Sequence, residues 1–511
     1  MLGYFLRGSR ALFLISILSG LVVTFLNVVI PQIISFTVDS VIGDEPSGGI
    51  FAFFADLFGG TEHLKSAVWM IALVIVGIAV VMAVFQYCVT YFNTRANQTL
   101  MRGMRNKLFA HIQRLPLGWH VTHQTGDIIQ RCTTDADVIS NFIANQLVPL
   151  FRLIIMVVLS LTLMFVMNVW LALIAAAFIP VLIGYSLVFY TKARKSFKKC
   201  DEEEGVLSTY AQENLTGVRV VRAFGRERYE RDKFEKQNVY YTGLWVRIEK
   251  FLALYWTSND FVAALQCMLL IVVGTVFCLQ GAISPGDLVA FISYNTMLMG
   301  PVRQLGRIIS NMSRAGVSIA RIGEIMNADE EEYGVAGTLS GDIEFKNVSF
   351  WYEEDKPVLR GVSFKIPEGS TLGVIGGTGS GKSSLMYLLD RLYPVSGGEI
   401  TIGGVNINDI PPATLRANIG FVLQEGYLYS GTIAENIAMA GENTDDGAIV
   451  HAAEAACVDE NIRSFAAGYQ TVVGERGVTL SGGQKQRVSI ARTLVRKTPV
   501  LIFDDSLSAV D

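Results

Sequence analysis

At 511 residues the chain is too long for one ordinary core, and 51% hydrophobic with 17% charged side chains at a mean hydropathy of +0.40 suits a membrane region joined to a soluble one. A net charge of −4 argues against nucleic acid as the main partner. Cys88, Cys132, Cys200, Cys267, Cys278 and Cys457 have neither metal-ligand nor framework spacing, which favours buried thiols in a reducing setting over a disulfide or zinc scaffold.

The first ten residues are too short for a cleavable signal, and the apolar run after them exceeds a signal-peptide core, so a retained first span is expected. A helix needs about 20 apolar residues to cross a bilayer. Ala11 to Val41, Ser66 to Thr90, Ile143 to Met167, Trp170 to Tyr190 and Phe261 to Leu279 meet this requirement. A sixth span, Leu288 to Ser310, is interrupted by Ser293, Asn295, Gly300-Pro301 and Arg303.

Charge placement supports six spans, because cytoplasmic flanks carry the excess of Lys and Arg. Arg7 and Arg10 precede span one, Arg95 to Arg114 follow span two, and Lys192 to Lys199 follow span four. The opposite loops hold Asp44, Glu45, Asp56 and Glu62, or barely turn the chain at Met167-Asn168-Val169. An even number of crossings returns the C-terminal region to the cytoplasm, with both termini there. Arg95 to Arg114 and Glu227 to Glu249 keep apolar residues at helical spacing among charges, so the helices should run on by about 30 Å beyond the bilayer. In span six, Ser293, Tyr294, Asn295, Met297 and Met299 are either cavity positions or helix-packing positions; Arg152 and Asp260 sit near inner span ends, where snorkelling suffices.

The expected organisation is a transmembrane domain over residues 1–326, a linker over 327–341 with Asp329 to Glu332 and three glycines, and a nucleotide-binding domain over 342–511. In the last of these, period-two alternation over Val348 to Tyr352 places Phe350 and Tyr352 on one face of a strand and Trp351 on the other. Thr371 to Ile375 reads as a buried strand and Ser383 to Leu392 as a helix. Between them Gly376, Gly377, Thr378, Gly379, Ser380, Gly381, Lys382 and Ser383, followed by Ser384, form a phosphate-binding loop. Its glycines let backbone N–H groups approach phosphates, Lys382 reaches the β/γ oxygens, and Ser383 can hold Mg²⁺. Val500 to Phe503 reads as a second buried strand ending in Asp504, a carboxylate for the magnesium shell. Ser481, Gly482 and Gly483 precede a helix-favouring run from Gln484 to Arg496, so their donors and the helix dipole suit a phosphate.

These motifs, with Leu480-Ser481-Gly482-Gly483-Gln484 ahead of Leu501-Ile502-Phe503-Asp504-Asp505, resemble the ATP-binding-cassette (ABC) transporter family, and the six spans with long intracellular helices resemble its type I exporters. Further likenesses are Gly126-Asp127 with Asp135-Ala136-Asp137, Glu213 to Arg219, and Gly474-Glu475-Arg476-Gly477. The resemblance implies an all-α six-helix transmembrane domain followed by an α/β P-loop NTPase domain. It implies ATP and Mg²⁺ as cofactors, Tyr352 stacking on adenine, and Gln424 as the Q-loop residue that touches magnesium. Ser481 to Gln484 would meet the γ-phosphate of ATP held by a second half-transporter, and Ser508 to Asp511 would form the D-loop at the seam.

The pattern departs from the family at Asp505, which stands where the family carries the glutamate that polarises water and is one methylene shorter. Positioned acid-base groups contribute about 10² to 10⁴ in rate. The exchange is either a tolerated conservative one or, as favoured here, the mark of a weakly hydrolytic site in one subunit of a heterodimer that exports drugs, lipids or other amphiphiles through the bilayer. An ATP-gated channel or regulatory half-transporter is the alternative. The chain ends at Asp511, before the family's switch histidine, so a C-terminally incomplete domain that is inactive alone is expected; His451 precedes the signature and does not match that histidine.

Overall fold

Long helices make up the first of two units, Met1–Phe109 with Ile128–Asn327; the second comprises Ala110–Asp127 with Ala328–Asp511. The computed structural model describes residues 2–43, 53, 56, 60–354, 356–441, 444–474, 477 and 479–506. Asp44 and Glu45, the Glu475-Arg476 pair, Ser508 to Asp511 and the side chain of Arg303 lie outside the described residues.

The first unit is built on α1 (Arg10–Phe36), α2 (Trp69–Ile112), α3 (Val148–Met167), α4 (Val169–Thr216), α5 (Glu227–Leu279) and α6 (Pro285–Met326). Among the described residues five helices are long and apolar enough to cross a membrane, beginning at Arg10, Trp69, Thr125, Val169 and Glu227. α6 is not one of the five, yet its backbone is helical through Gly300 and Pro301 for 42 residues.

Local chemistry explains the ends. Asn168 turns the chain between α3 and α4 in extended geometry, and its side chain accepts from the N–H groups of Trp170 at 3.0 Å and Leu171 at 3.1 Å. Ser284 caps α6 by accepting from Asp287 N, with Pro285 in the first turn, where a missing N–H costs nothing. The Asp39 carboxylate joins the same end, accepting from Gly286 N at 2.7 Å and Ser284 Oγ at 2.5 Å. A Cβ at Gly286 would stand 2.4 Å from both Asp39 and Ser35, so only glycine admits this approach.

Packing between helices uses Val28, Met164, Leu171, Leu270, Phe291 and Tyr294, and Tyr294 Oη donates to Val28 O at 2.8 Å. Gln266 in α5 donates to Asn295 Oδ1 in α6 at 2.7 Å and to Ala175 O in α4 at 3.2 Å. Tyr294 and Asn295 are thus buried between helices, 0% and 1% exposed, and Ser293 bonds its own helix at Val289 O. Lower in the unit, Asp135 is buried against Ser318 at 2.9 Å and Arg321 at 3.4 Å, and Arg131 reaches Glu324 at 2.7 Å.

In the second unit β1 (Ile343–Trp351), β2 (Pro357–Ile366), β3 (Gly397–Ile402) and β4 (Val405–Asn406) form an antiparallel sheet in the order β2-β1-β3-β4. Its apolar face buries Phe345, Val348, Phe350 and Ile400 with Leu385, Leu388 and Leu389 of α7 (Lys382–Leu389). α8 (Pro412–Asn418) leads into β5 (Ile419–Val422). α9 (Ile433–Ala438) and α10 (Gly482–Leu494) follow, and β6 (Val500–Phe503) pairs with β5 in parallel.

Three expectations are corrected. Thr371 to Ile375 forms no strand and is exposed throughout, Ile375 at 99%, because no neighbouring edge takes its hydrogen bonds and an apolar run alone does not make a strand. For the same reason β6 is only half buried: Ile502 is 8% exposed but Leu501 43%. The helix after the phosphate loop stops at Leu389 rather than Leu392, since Arg391 turns left-handed with φ 51°. Residues 328–340 carry no regular element and are docked: Ala413 N bonds Tyr333 O, Thr414 Oγ1 bonds Val335 O, and Asn418 Nδ2 bonds Gly337 O.

Candidate functional site

α7 begins where the backbone is least tolerant. Gly381, its N-cap, has φ 91°, and a Cβ there would lie 2.8 Å from Leu359 and 3.1 Å from Val358 of β2. Substitution would be strained on both counts. Gly379 also has positive φ at 80°, and Ser380 N bonds Gly377 O at 3.2 Å across Thr378. Lys382 Nζ donates to Gly376 O at 2.8 Å and Gly377 O at 2.9 Å, so its ammonium sits inside the loop's concavity.

The next residue reaches the strand pair. Ser383 Oγ donates to Asp504 Oδ1 at 2.9 Å. Asp504 is 3% exposed and its Oδ2 has no hydrogen-bond partner among the described residues. An orphaned buried carboxylate oxygen is costly. Beside a serine hydroxyl it makes a hard oxygen donor set, which fits magnesium. Ser384, buried, meets Tyr352 Oη at 2.9 Å, and the Tyr352 ring stands edge-on to Phe350 and Tyr393 at 4.7 and 5.1 Å. The ring remains 51% exposed just past the end of β1.

Parallel pairing then brings two distant residues together. Val422 is in register with Phe503, so Gln424 and Asp505 each lie two residues beyond that pair. Gln424 Nε2 donates to Asp505 Oδ2 at 3.3 Å, and Asp505 is left-handed with φ 46°. The sequence places these residues on strand ends but does not foretell their contact.

Ser481, Gly482, Gly483 and Gln484 form a separate group at the start of α10. Ser481 Oγ accepts from Gln484 N at 3.3 Å, and Gln484 Oε1 accepts from Ser481 N at 3.0 Å. This is a capping box, legible in the Ser-x-x-Gln spacing though not in a reading aimed only at phosphate. Two other residues escaped the sequence reading. Gln486, 4% exposed, donates to Leu423 O at 3.1 Å and so ties α10 to the Gln424 segment. Arg492 donates to Asn436 O, Asn436 Oδ1 and Tyr427 O at 2.8 to 2.9 Å. Gln486 shares a face of α10 with Ser489, Ile490 and Thr493, and Arg492 follows Val488 by one turn, so each is a polar group beside buried residues of the helix.

The pattern of the ABC transporter transmembrane region matches residues 13–302, and that of the ABC transporter family matches residues 359–508. The chain belongs to the ABC transporter family. It is 33% identical to the Bacillus subtilis ABC transporter ATP-binding protein YknU over 98% of this chain and 84% of that one. It is 30% identical to YgaD of the same organism, provisionally described as a multidrug export ATP-binding/permease protein, over 99% and 86%. The fold superposes on a bacterial Atm1-family ABC exporter solved with ATP bound, with a TM-score of 0.79 over 98% of this chain and 86% of that one, at 24% identity. This ABC exporter subunit is a multi-pass membrane protein whose ATP-binding domain is cytoplasmic, and it is an ATPase coupled to transport.

Proposed function

We propose that the chain is the weakly hydrolytic half of a heterodimeric ABC exporter of drugs, lipids or other amphiphiles. Carrying this reading is Asp505: a carboxylate one methylene shorter than the family's glutamate, in left-handed backbone and engaged by Gln424 at 3.3 Å. ATP would lie with its phosphates over Gly376 to Gly381, Lys382 against them and Tyr352 against the adenine. Ser383, Asp504 and Gln424 would hold Mg²⁺, which when bound would neutralise charge developing on the phosphates. Asp505 holds and orients the water poorly at its shortened reach. Ser481 to Gln484, already capped, serve the nucleotide of the opposite half-transporter. YgaD's description as a multidrug export protein supports drugs as a cargo class.

The test is turnover of the assembled pair in lipid. Asp505→Asn should change it by less than about twofold, whereas removing the partner's catalytic carboxylate should cost about 10² or more. Equal losses would sink the asymmetric reading. Isolation of a homodimer from native membranes would sink the heterodimer.

A further inference from the structure

A buried carboxylate stands at the wrong end of the phosphate-binding helix. Asp390 is the C-cap of α7, where the helix dipole is negative, and it is 7% exposed. Its Oδ1 has no hydrogen-bond partner among the described residues. Burial pushes its carboxyl up to about 6, with Arg416 and Arg496 pulling down and Glu331 pushing up. Such a group destabilises a helix terminus unless a cation compensates it.

Arg416 of α8 is the cation at hand, and it is engaged elsewhere. Its Nη1 and Nη2 form a fork on Glu331 of the linker at 2.8 and 2.9 Å, and Nη2 also reaches the carbonyl of Arg391, the residue after Asp390, at 3.5 Å. Its Nε is buried and has no partner among the described residues. An unused donor and an unused acceptor thus belong to two side chains of opposite charge that already feel each other, while the fork of the cation is held by the linker. That linker has a second attachment. Glu330 contacts His111 at 2.7 Å and Arg114 at 3.3 Å, and Glu331 N bonds Arg114 O at 2.8 Å.

We propose that Arg416 is a positioning residue for ATP binding, exchanged between Glu331 of the linker and Asp390 at the end of the phosphate-binding helix. Held by Glu331, it acts on Asp390 through its charge alone, and among the described residues no hydrogen bond ties the end of α7 to α8 through that carboxylate. Released, it forks onto Asp390 and ties the end of α7 to α8, steadying the helix whose other end carries Lys382 and Ser383. Movement of the Arg114 segment, transmitted through Glu330 and Glu331, thereby becomes a change in nucleotide affinity. The idea rests on ATP binding at Lys382.

Two carboxylates competing for one arginine give a signature that a merely structural role does not. With the full transporter in nanodiscs and a fluorescent ATP analogue as probe, Glu331→Gln should tighten binding and Asp390→Asn should weaken it, each by about two- to tenfold. In an Arg416→Met background both effects should vanish. Arg416→Lys, which keeps the charge but not the fork, should keep the opposite signs at smaller size. Effects of the same sign in the otherwise unaltered transporter, which needs no Arg416 variant to fold, would overturn the proposal. So would effects that persist in Arg416→Met. If Lys382→Ala left analogue binding intact, the assignment of the nucleotide site itself would fall instead.

Discussion

The signature helix and the phosphate-loop helix both present an N-terminus suited to phosphate, but they are held differently. α10 is closed at its start by the Ser481–Gln484 box and fastened along its length by Gln486 to Leu423 and by Arg492 to Tyr427 and Asn436. α7 is preceded by an exposed segment from Thr371 to Ile375 outside any strand, has its lysine turned onto the loop's own carbonyls, and ends in a buried carboxylate whose Oδ1 has no hydrogen-bond partner among the described residues. One helix has its polar anchors made before any ligand arrives. The other keeps donors and charges in reserve, so ligand binding energy can be converted into order there.

The sharpest way to break this contrast is Lys382→Ala. It should lower ATP turnover by about 10²-fold while leaving thermal unfolding unchanged, because the ammonium satisfies only loop carbonyls. A large fall in Tm would mean that the loop depends on its lysine for stability as α10 depends on its anchors.

Arg492→Ala should do the reverse. Removing a guanidinium that serves three acceptors leaves them unsatisfied and should cost about 3 kcal/mol, read as a lower Tm. Nucleotide affinity of the material that remains folded should barely move.

Asp390→Asn gives an effect no larger than that of Arg492→Ala, and the one with a pH signature. The folded carboxyl titrates at about 6 instead of 3.8, so the native state holds more protons than the unfolded one between those values, and stability falls as pH rises through them. The substitution should therefore stabilise the protein by at most about 3 kcal/mol above pH 7, with the gain vanishing towards pH 4. No gain above pH 7 would show that the carboxylate is already compensated.

How much of this was legible depends on the kind of signal. Spans such as Ala11 to Val41 announce themselves because bilayer thickness sets a length that apolar runs either reach or miss. The phosphate loop is legible because few backbones other than glycine's reach φ near 90°, as at Gly381. Thr371 to Ile375 misled because strand formation is a property of two edges and a sequence shows one. The docked linker and the Arg416 fork were hidden for a related reason: Glu331 lies 85 positions from its partner, and nothing in an acidic run says which cation will answer it.

The single-residue turn at Asn168 has a practical consequence for anyone labelling this transporter. Its amide oxygen occupies two N–H groups at the start of α4 while the preceding residue, Met167, still belongs to α3. A tag or fluorophore inserted there would unseat the cap and let the two helices slide. Their outer ends are best reported by a probe that replaces a neighbouring exposed side chain, such as Val166 or Trp170, without lengthening the chain.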